Sequence, residues 1–428
     1  MSSSGVRGRT SERAALLAIG DEVLRGEIGN ANAAFIAERL FEAGFELAEQ
    51  LVVSDDPQAI RAALVRLRAE VDVIITTGGL GPTEDDRTVD VVAELLATGT
   101  SADEKSLEAM KKRFSIHGFE MTPNNLRQVR IPNGGRALPN AAGIAPGFVV
   151  SLGGAEAYFL PGVPREMEKM FTDEVMPRLA RRMAEQGTSP PATRTWHLYG
   201  MGESHIDHRL AGILTGVEGA SLHFRTSNPV NHVKLVVRQA DPAEARATVD
   251  KVDAELRKRI GPGIYGIDGE TFPGAVAKAL RAQEATVAFA ESCTGGLAGQ
   301  LVTSEAGAST FFRGGVVAYA DEVKTGVLGV KPETIADFGA VSEPTAREMA
   351  EGVKRVCGSS VAVAITGVAG PEGGAPDKPV GTVCFAVCGP GTTRTSTKLF
   401  AGDRDRVRMA AAYYALDLAR RYFDTRKR

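Results

Sequence analysis

The sequence predicts an α/β protein: two doubly wound α/β domains joined by a small α+β domain. Three observations carry the prediction. From Ala14 to about Pro177, and again from about Thr271, short apolar runs of strand length alternate with longer runs of helical period. Between them, about Thr195–Tyr265 holds strand-like pieces such as His232–Arg238 and one amphipathic helix, Ala243–Ile260. The length of 428 residues leaves room for two or three domains at roughly 150 residues each. Strands separated by helices pair in parallel, and such sheets bind ligands beyond the carboxyl ends of their strands.

In the first unit Ala15–Ile19 is a short apolar strand ending at Gly20. Asn32–Ala43 has helical period, with Phe35, Ile36, Leu40 and Phe41 on one face. Phe45–Val53 reads as a strand, Ala59–Leu67 as a helix, Val71–Thr76 as a buried parallel strand and Thr88–Leu96 as a helix. The stretch from Pro123 to Gly147 is rich in Pro, Gly and Asn and reads as a series of turns. Phe159–Leu160 then leads through Pro161-Gly162-Val163-Pro164 into a helix from Arg165. Met167 and Met170, like Phe311 and Phe312 later, read as apolar core.

A linker at Gln186–Thr193 contains Gly187, Ser189, Pro190 and Pro191, and Gly261-Pro262-Gly263 closes the small domain. The last unit reads as helix Gly274–Gln283, strand Ala285–Ala290, strand Gly314–Tyr319, helix Glu343–Cys357, strand Val361–Ile365 and strand Thr382–Val387. Ser342 suits the N-cap of the long helix, and Ala346, Met349, Val353 and Val356 its buried stripe. The expected boundaries are 1–13 for a disordered polar tail, 14–185 and 267–428 for the α/β domains, and 186–266 for the connecting domain.

The 50 basic against 53 acidic residues give a net charge of −3, which excludes broad electrostatic attraction to nucleic acid or membrane. No run approaches the ~18 consecutive apolar residues of a membrane helix, and the polar N-terminus has no apolar signal core. Cys293, Cys357, Cys384 and Cys388 have neither zinc-site nor disulfide-framework spacing, so free thiols in a cytoplasmic protein are expected. His205 and His208 are three residues apart on a helical face, but no third ligand stands near them to complete a zinc site.

Two segments carry candidate chemistry. In the first, Thr76-Thr77-Gly78-Gly79-Leu80-Gly81-Pro82-Thr83-Glu84-Asp85-Asp86 follows a buried strand and opens a helix. Glycines there let backbone N–H groups approach an anionic ligand, and the acids suit a divalent cation on a pyrophosphate. The same residues also read as a plain helix start, with Thr83 and Asp86 forming a capping box. In the second, Ala290-Glu291-Ser292-Cys293-Thr294-Gly295-Gly296 is a strand-to-helix turn with hydroxyls and a thiol among unpaired N–H groups. It suits either a nucleophile with an oxyanion hole or a simple cap.

The first unit as a whole resembles the molybdopterin-binding-like domain of the CinA family. The resemblance rests on Ile19-Gly20-Asp21-Glu22, Gly26-Glu27-Ile28 with Asn30 and Asn32, the Thr77–Thr88 segment, Asn140 with Gly143-x-Ala145-Pro146-Gly147, and Leu160-Pro161-Gly162-Val163-Pro164. It implies a nucleotide site at Gly78, Gly79, Gly81, Asp55 (or its neighbour Asp56) and Asp86. It also implies a metal-dependent ADP-ribose pyrophosphatase activity, with Asp86 as ligand to a divalent metal.

Four segments in the last unit are similar to the C-terminal, nicotinamide-mononucleotide deamidase domain of the same family over about Thr271–Phe423. They are the Glu291–Gly296 turn, Tyr319-Ala320-Asp321-Glu322-Val323-Lys324, Ile365-Thr366-Gly367-Val368-Ala369-Gly370-Pro371, and Gly402-Asp403-Arg404-Asp405-Arg406-Val407-Arg408. The resemblance implies hydrolysis of nicotinamide mononucleotide without a cofactor. Ser292 is then the nucleophile and Lys324 the base, with Tyr319 and Thr366 orienting them. Arg404 and Arg408 hold the substrate phosphate, Thr294, Gly295 and Gly296 supply oxyanion donors, and Asp321 and Gly367 complete the substrate site. Cys293 is the rival nucleophile, and no His stands at a family-like position to activate it. One departure is clear: the family usually carries Asn where this chain has Asp321, and a carboxylate there favours the charged form of Lys324.

The connecting segment is likened to a KH domain but lacks a Gly-x-x-Gly clamp flanked by basic residues, so no direct nucleic-acid partner is expected. The expected partners are small nucleotides, nicotinamide mononucleotide and ADP-ribose, and a second copy of the chain in a homodimer. The rival reading is a nucleotide- or pterin-binding regulatory protein without deamidase activity.

Overall fold

The structure is a computed structural model that describes residues 12–117, 120–187, 189–239 and 241–423. The chain falls into two compact units, 1–192 with 238–246, and 193–237 with 247–428.

In the first unit the strands are β1 (Arg13–Ile19), β2 (Glu46–Val53), β3 (Val73–Thr77), β4 (Thr100–Ala102), β5 (Arg130–Pro132), β6 (Arg136–Leu138), β7 (Gly147–Leu152) and β8 (Ala155–Leu160). The main sheet has the order β2-β1-β3-β8-β7-β6. Its first four strands are parallel, and β7 and β6 add antiparallel at one edge. Successive residues of β1 face opposite layers. Ala14 and Leu16 pack with Ile36, Leu40, Met167 and Met170, whereas Ala15, Leu17 and Ile19 pack with Ile60, Leu64 and Val92. Helices on both faces of a buried sheet leave only its strand ends open, which is where loops can build a site.

The stretch that reads as turns holds helix Pro123–Arg127 and the three-residue strands β5 and β6, too short to show a period. Glu12 and Arg13, expected within the tail 1–13, belong to the fold. Glu12 is buried and pairs with Arg182 at 2.5 Å, and Arg13 opens β1 beside β2; residues 1–11 lie outside the described residues.

The second unit contains the small domain and the C-terminal α/β domain. The small sheet, β9 (Ala192–Tyr199), β10 (Ala220–Ser227), β11 (Val230–Val237) and β12 (Ile264–Ile267), has the order β10-β11-β9-β12. Helix Pro242–Ile260 is tied to it by Trp196, whose fully buried ring donates to Asp253 at 2.6 Å. His205 and His208 are exposed on helix Glu203–Leu210.

The C-terminal strands are β13 (Val287–Glu291), β14 (Phe312–Val317), β15 (Val361–Gly367), β16 (Thr382–Gly389) and β17 (Thr392–Leu399), in the order β14-β13-β15-β16-β17. The first three are parallel and the last two antiparallel. β13 again divides its residues, with Val287 and Phe289 packed among Val276, Val407 and Ala411, and Ala288 and Ala290 under Met349 and Val353. Helix Glu343–Cys357 starts at Ser342, whose hydroxyl accepts from the Thr345 N–H. Val356 is the exception to its expected stripe: its side chain is exposed, because the helix presents Ala346, Met349, Ala350 and Val353 to the sheet. All four cysteines are free, and Cys293, Cys384 and Cys388 are buried. Among the described residues no helix is long and apolar enough to cross a membrane.

Candidate functional site

The C-terminal site is assembled by strand register. Glu291, the last residue of β13, lies opposite Val317 of β14 and Ile365 of β15. Parallel neighbours lie about 4.8 Å apart, so Ser292, Ala318 and Thr366, each one residue beyond that line, share one edge of the sheet. The main chain fixes the alignment: the Ser292 N–H donates to Ile365 O at 2.9 Å and the Ala318 N–H to Glu291 O at 2.7 Å. After Ser292 the chain reverses through Gly295 and Gly296, at φ of 62° and 98°. That left-handed pair explains the double glycine.

Lys324 sits on helix Asp321–Gly326, directly after β14, and its side chain is 2% exposed. Its Nζ donates to Tyr319 O and to Asp321 Oδ1, both at 3.0 Å. Among the described residues Ser292 Oγ has no hydrogen-bond partner, so serine and lysine face one sheet edge without bonding directly. Tyr319 is exposed, and its hydroxyl accepts from Arg404 Nη2 at 3.2 Å while Arg404 Nη1 donates to Gly370 O at 2.6 Å. Arg408 donates to Thr294 O at 3.2 Å and pairs with Asp405 at 3.3 Å. Two guanidinium groups from the first five residues of helix Arg404–Arg421 therefore reach the loops at this edge.

Four of the expected site residues are engaged within the fold. The Gly295 N–H donates to Ser292 O and the Gly296 N–H to Glu291 Oε2, which leaves the Cys293 and Thr294 N–H groups as the donors of that turn with no acceptor on another described residue. Thr366 is fully buried and donates to Ala340 O at 2.7 Å, so it tethers the loop before Ser342. At Gly367 a Cβ would lie 2.7 Å from the Val383 side chain and 2.8 Å from Thr382 O; packing against β16, and not ligand approach, demands the glycine there.

Cys293 is a poor nucleophile in this setting. Burial, reinforced by the Glu291 charge, pushes its thiol up to about 12 despite the opposing pull of Arg408 and Arg404. Thiol and not thiolate is then present at neutral pH.

The first unit presents a cavity of about 670 Å³ at the carboxyl ends of its parallel strands. Gly20, Gly78, Gly79, Gly81, Asp55, Asp85 and Asp86 line it, together with Asn32 and Glu166. A Cβ at Gly78 would lie 2.1 Å from Ile19 O, at a φ of 108°, so glycine here lets the loop cross the end of β1. Asp55 and Asp56 separate clearly. Asp56 caps helix Pro57–Glu70 through the Ala59 N–H, whereas Asp55 accepts from the Asp21 N–H at 3.0 Å and lines the cavity.

Burial raises the Asp55 carboxyl, and Glu22, Asp21 and Asp85 add to the effect against the bond from the Asp21 N–H. A carboxyl raised in the folded state keeps its stability contribution below its unfolded value and loses it as pH rises through the folded one. Asp55→Asn, whose amide oxygen still accepts from Asp21, is therefore expected to raise the melting temperature at about pH 7 and not at about pH 3. Calorimetry at the two pH values checks this, and equal melting at both would show that Asp55 carries no such cost.

Thr83 and Asp86 do not form a capping box on the following helix, which starts at Thr88 with Arg87 at its N-cap. Asp86 Oδ2 accepts from the N–H and the hydroxyl of Thr83 at 2.8 and 2.6 Å. Among the described residues no three His, Cys, Asp or Glu side chains converge to hold a metal ion. With Asp86 committed to Thr83, the residues present do not fit a resident cation, and no chemical step is routed through one.

A CinA-like protein of Anaeromyxobacter sp. is 42% identical to this chain over 407 residues, 95% of this chain and 98% of the relative. The chain belongs to the CinA family. A putative competence-damage inducible protein of Symbiobacterium thermophilum is 41% identical over 421 residues, 96% of this CinA-family chain and 98% of the relative. Family profiles match residues 15–181 as a probable molybdopterin binding domain, 193–266 as the damage-inducible protein CinA KH domain, and 270–423 as the CinA C-terminal domain. The crystal structure of the competence damage-inducible protein A from Klebsiella pneumoniae is 40% identical, covering 36% of this chain and 95% of that one, with a TM-score of 0.35.

Two residues that the sequence reading quoted without a role have one in the fold of this CinA-family chain. Glu291 is 3% exposed and accepts from three backbone N–H groups. Its signal was an acid closing the apolar run Val287–Ala290. Asn32 is held by Thr77 and Gly162 O on the wall of the first cavity. Its contacts span 45 and 130 residues, which no local spacing reveals.

Proposed function

We propose that the C-terminal domain hydrolyses the carboxamide of nicotinamide mononucleotide to nicotinate mononucleotide and ammonia. The observation that carries the reading is a lysine 2% exposed at the same sheet edge as a serine with an unengaged hydroxyl, under two arginines. In its neutral form Lys324 takes the Ser292 proton, and Oγ attacks the carboxamide carbon. The Thr294 N–H faces the developing oxyanion. The lysine returns that proton to the amide nitrogen, the C–N bond breaks and the nitrogen leaves as ammonia, and water hydrolyses the serine ester with the same amine as base. Arg404 and Arg408 bind the phosphate.

Every step uses the chain's own side chains, so ammonia release by the purified chain is expected to be unchanged by EDTA. An enzyme-coupled ammonia assay with nicotinamide mononucleotide, alongside chromatography of the product, checks it. No release from folded protein would leave the regulatory nucleotide- or pterin-binding reading in its place.

The acid-lined cavity of the first unit supports a second activity, cleavage of the ADP-ribose pyrophosphate, with any divalent cation arriving on the substrate and not resident in the chain. Its test is AMP formation from ADP-ribose, titrated with magnesium or manganese. The reading also includes a cytoplasmic homodimer, for which light scattering gives the mass.

A further inference from the structure

The geometry points to Glu291 as the positioning residue of the serine turn, a role that rests on the deamidase reading. Glu291 Oε2 accepts from the N–H groups of Gly296 and Ala298, both at 3.0 Å, and Oε1 from that of Gly299 at 2.8 Å. Its own carbonyl accepts from Ala318 at 2.7 Å. One buried residue thus joins β13, the segment after β14 and the start of helix Leu297–Thr303. Ser292 is the next residue in the chain, and the far end of its turn, at Gly296, is anchored to this carboxylate.

The arrangement also decides where substrate charge goes. The first N–H groups of a helix ordinarily attract an anion. Here an internal carboxylate occupies them, so the substrate phosphate is left to Arg404 and Arg408, and the oxyanion to the Thr294 N–H. A glutamine keeps one acceptor oxygen and turns an NH₂ group toward donors, which loosens the turn without emptying the space.

The test is Glu291→Gln in the full chain. Displacing a reacting group by about 1 Å costs about a hundredfold in rate. The expected result is cooperative melting, KM for nicotinamide mononucleotide within about threefold of wild type, and kcat lower by about a hundredfold. Labelling of Ser292 by a fluorophosphonate, followed by mass spectrometry, is expected to slow in parallel. If wild type releases no ammonia, the deamidase reading fails, and the labelling rates still judge the turn. Should the glutamine variant not fold, Glu291→Asp keeps the charge and draws the carboxylate back from the three donors by one methylene, with a smaller loss in kcat at unchanged KM. Wild-type kcat and wild-type labelling in a folded variant would overturn the proposal.

Discussion

Ser292→Ala is expected to lower ammonia release from nicotinamide mononucleotide by at least about a thousandfold, whereas Cys293→Ala leaves it within about threefold. The two side chains are adjacent, so a substitution that merely disturbed the turn would affect both variants. Their environments differ in kind. The Cys293 thiol packs in the core beside Val407 and Ala411, and burial pushes it up to about 12. No thiolate is present for attack at neutral pH. Ser292 stands at the sheet edge with its hydroxyl unengaged among the described residues, and a hydroxyl needs only a base in the complex, not prior ionisation. Loss of activity in Cys293→Ala with retention in Ser292→Ala would assign the chemistry to the thiol and remove the serine mechanism.

Much of the architecture was legible because burial leaves a periodic trace. β1, β3, β13 and β15 are apolar runs between glycines or helices, and helix Glu343–Cys357 has its cap, stripe and glycine stop written locally. The antiparallel additions were harder. β17, Thr392–Leu399, is polar and half exposed because it is an edge strand with one neighbour, so it shows no apolar run. In the site, it was the family resemblance, and not spacing, that named Ser292, Lys324 and the two arginines, and each stands near a strand end or a helix start. It did not reveal which backbone N–H groups were already engaged. That depends on the Glu291 carboxylate reaching five to eight residues ahead, and on Thr366 reaching back 26 residues to Ala340. Donor occupancy is a property of tertiary geometry, and it reassigned Gly295, Gly296 and Thr366.

Lys324→Ala is expected to reduce kcat by about 10²–10⁴-fold, the usual contribution of a general base, with little change in KM. The companion variant Asp321→Asn is expected to do the opposite. In the present arrangement the Lys324 amine lies 3.0 Å from the Asp321 carboxylate, which is itself 51% exposed. An adjacent negative charge favours the ammonium, and an ammonium cannot take the Ser292 proton. Replacing the carboxylate by an amide of the same shape keeps an acceptor for Nζ and removes the charge. A half-exposed pair is worth up to about 1 kcal/mol, so the gain in activity near neutral pH is about fivefold at most. The gain is in kcat, with KM within about threefold of wild type. A wild-type kcat in the folded variant would show that Asp321 does not govern the base. A lysine-less variant with wild-type kcat would remove Lys324 from the mechanism altogether.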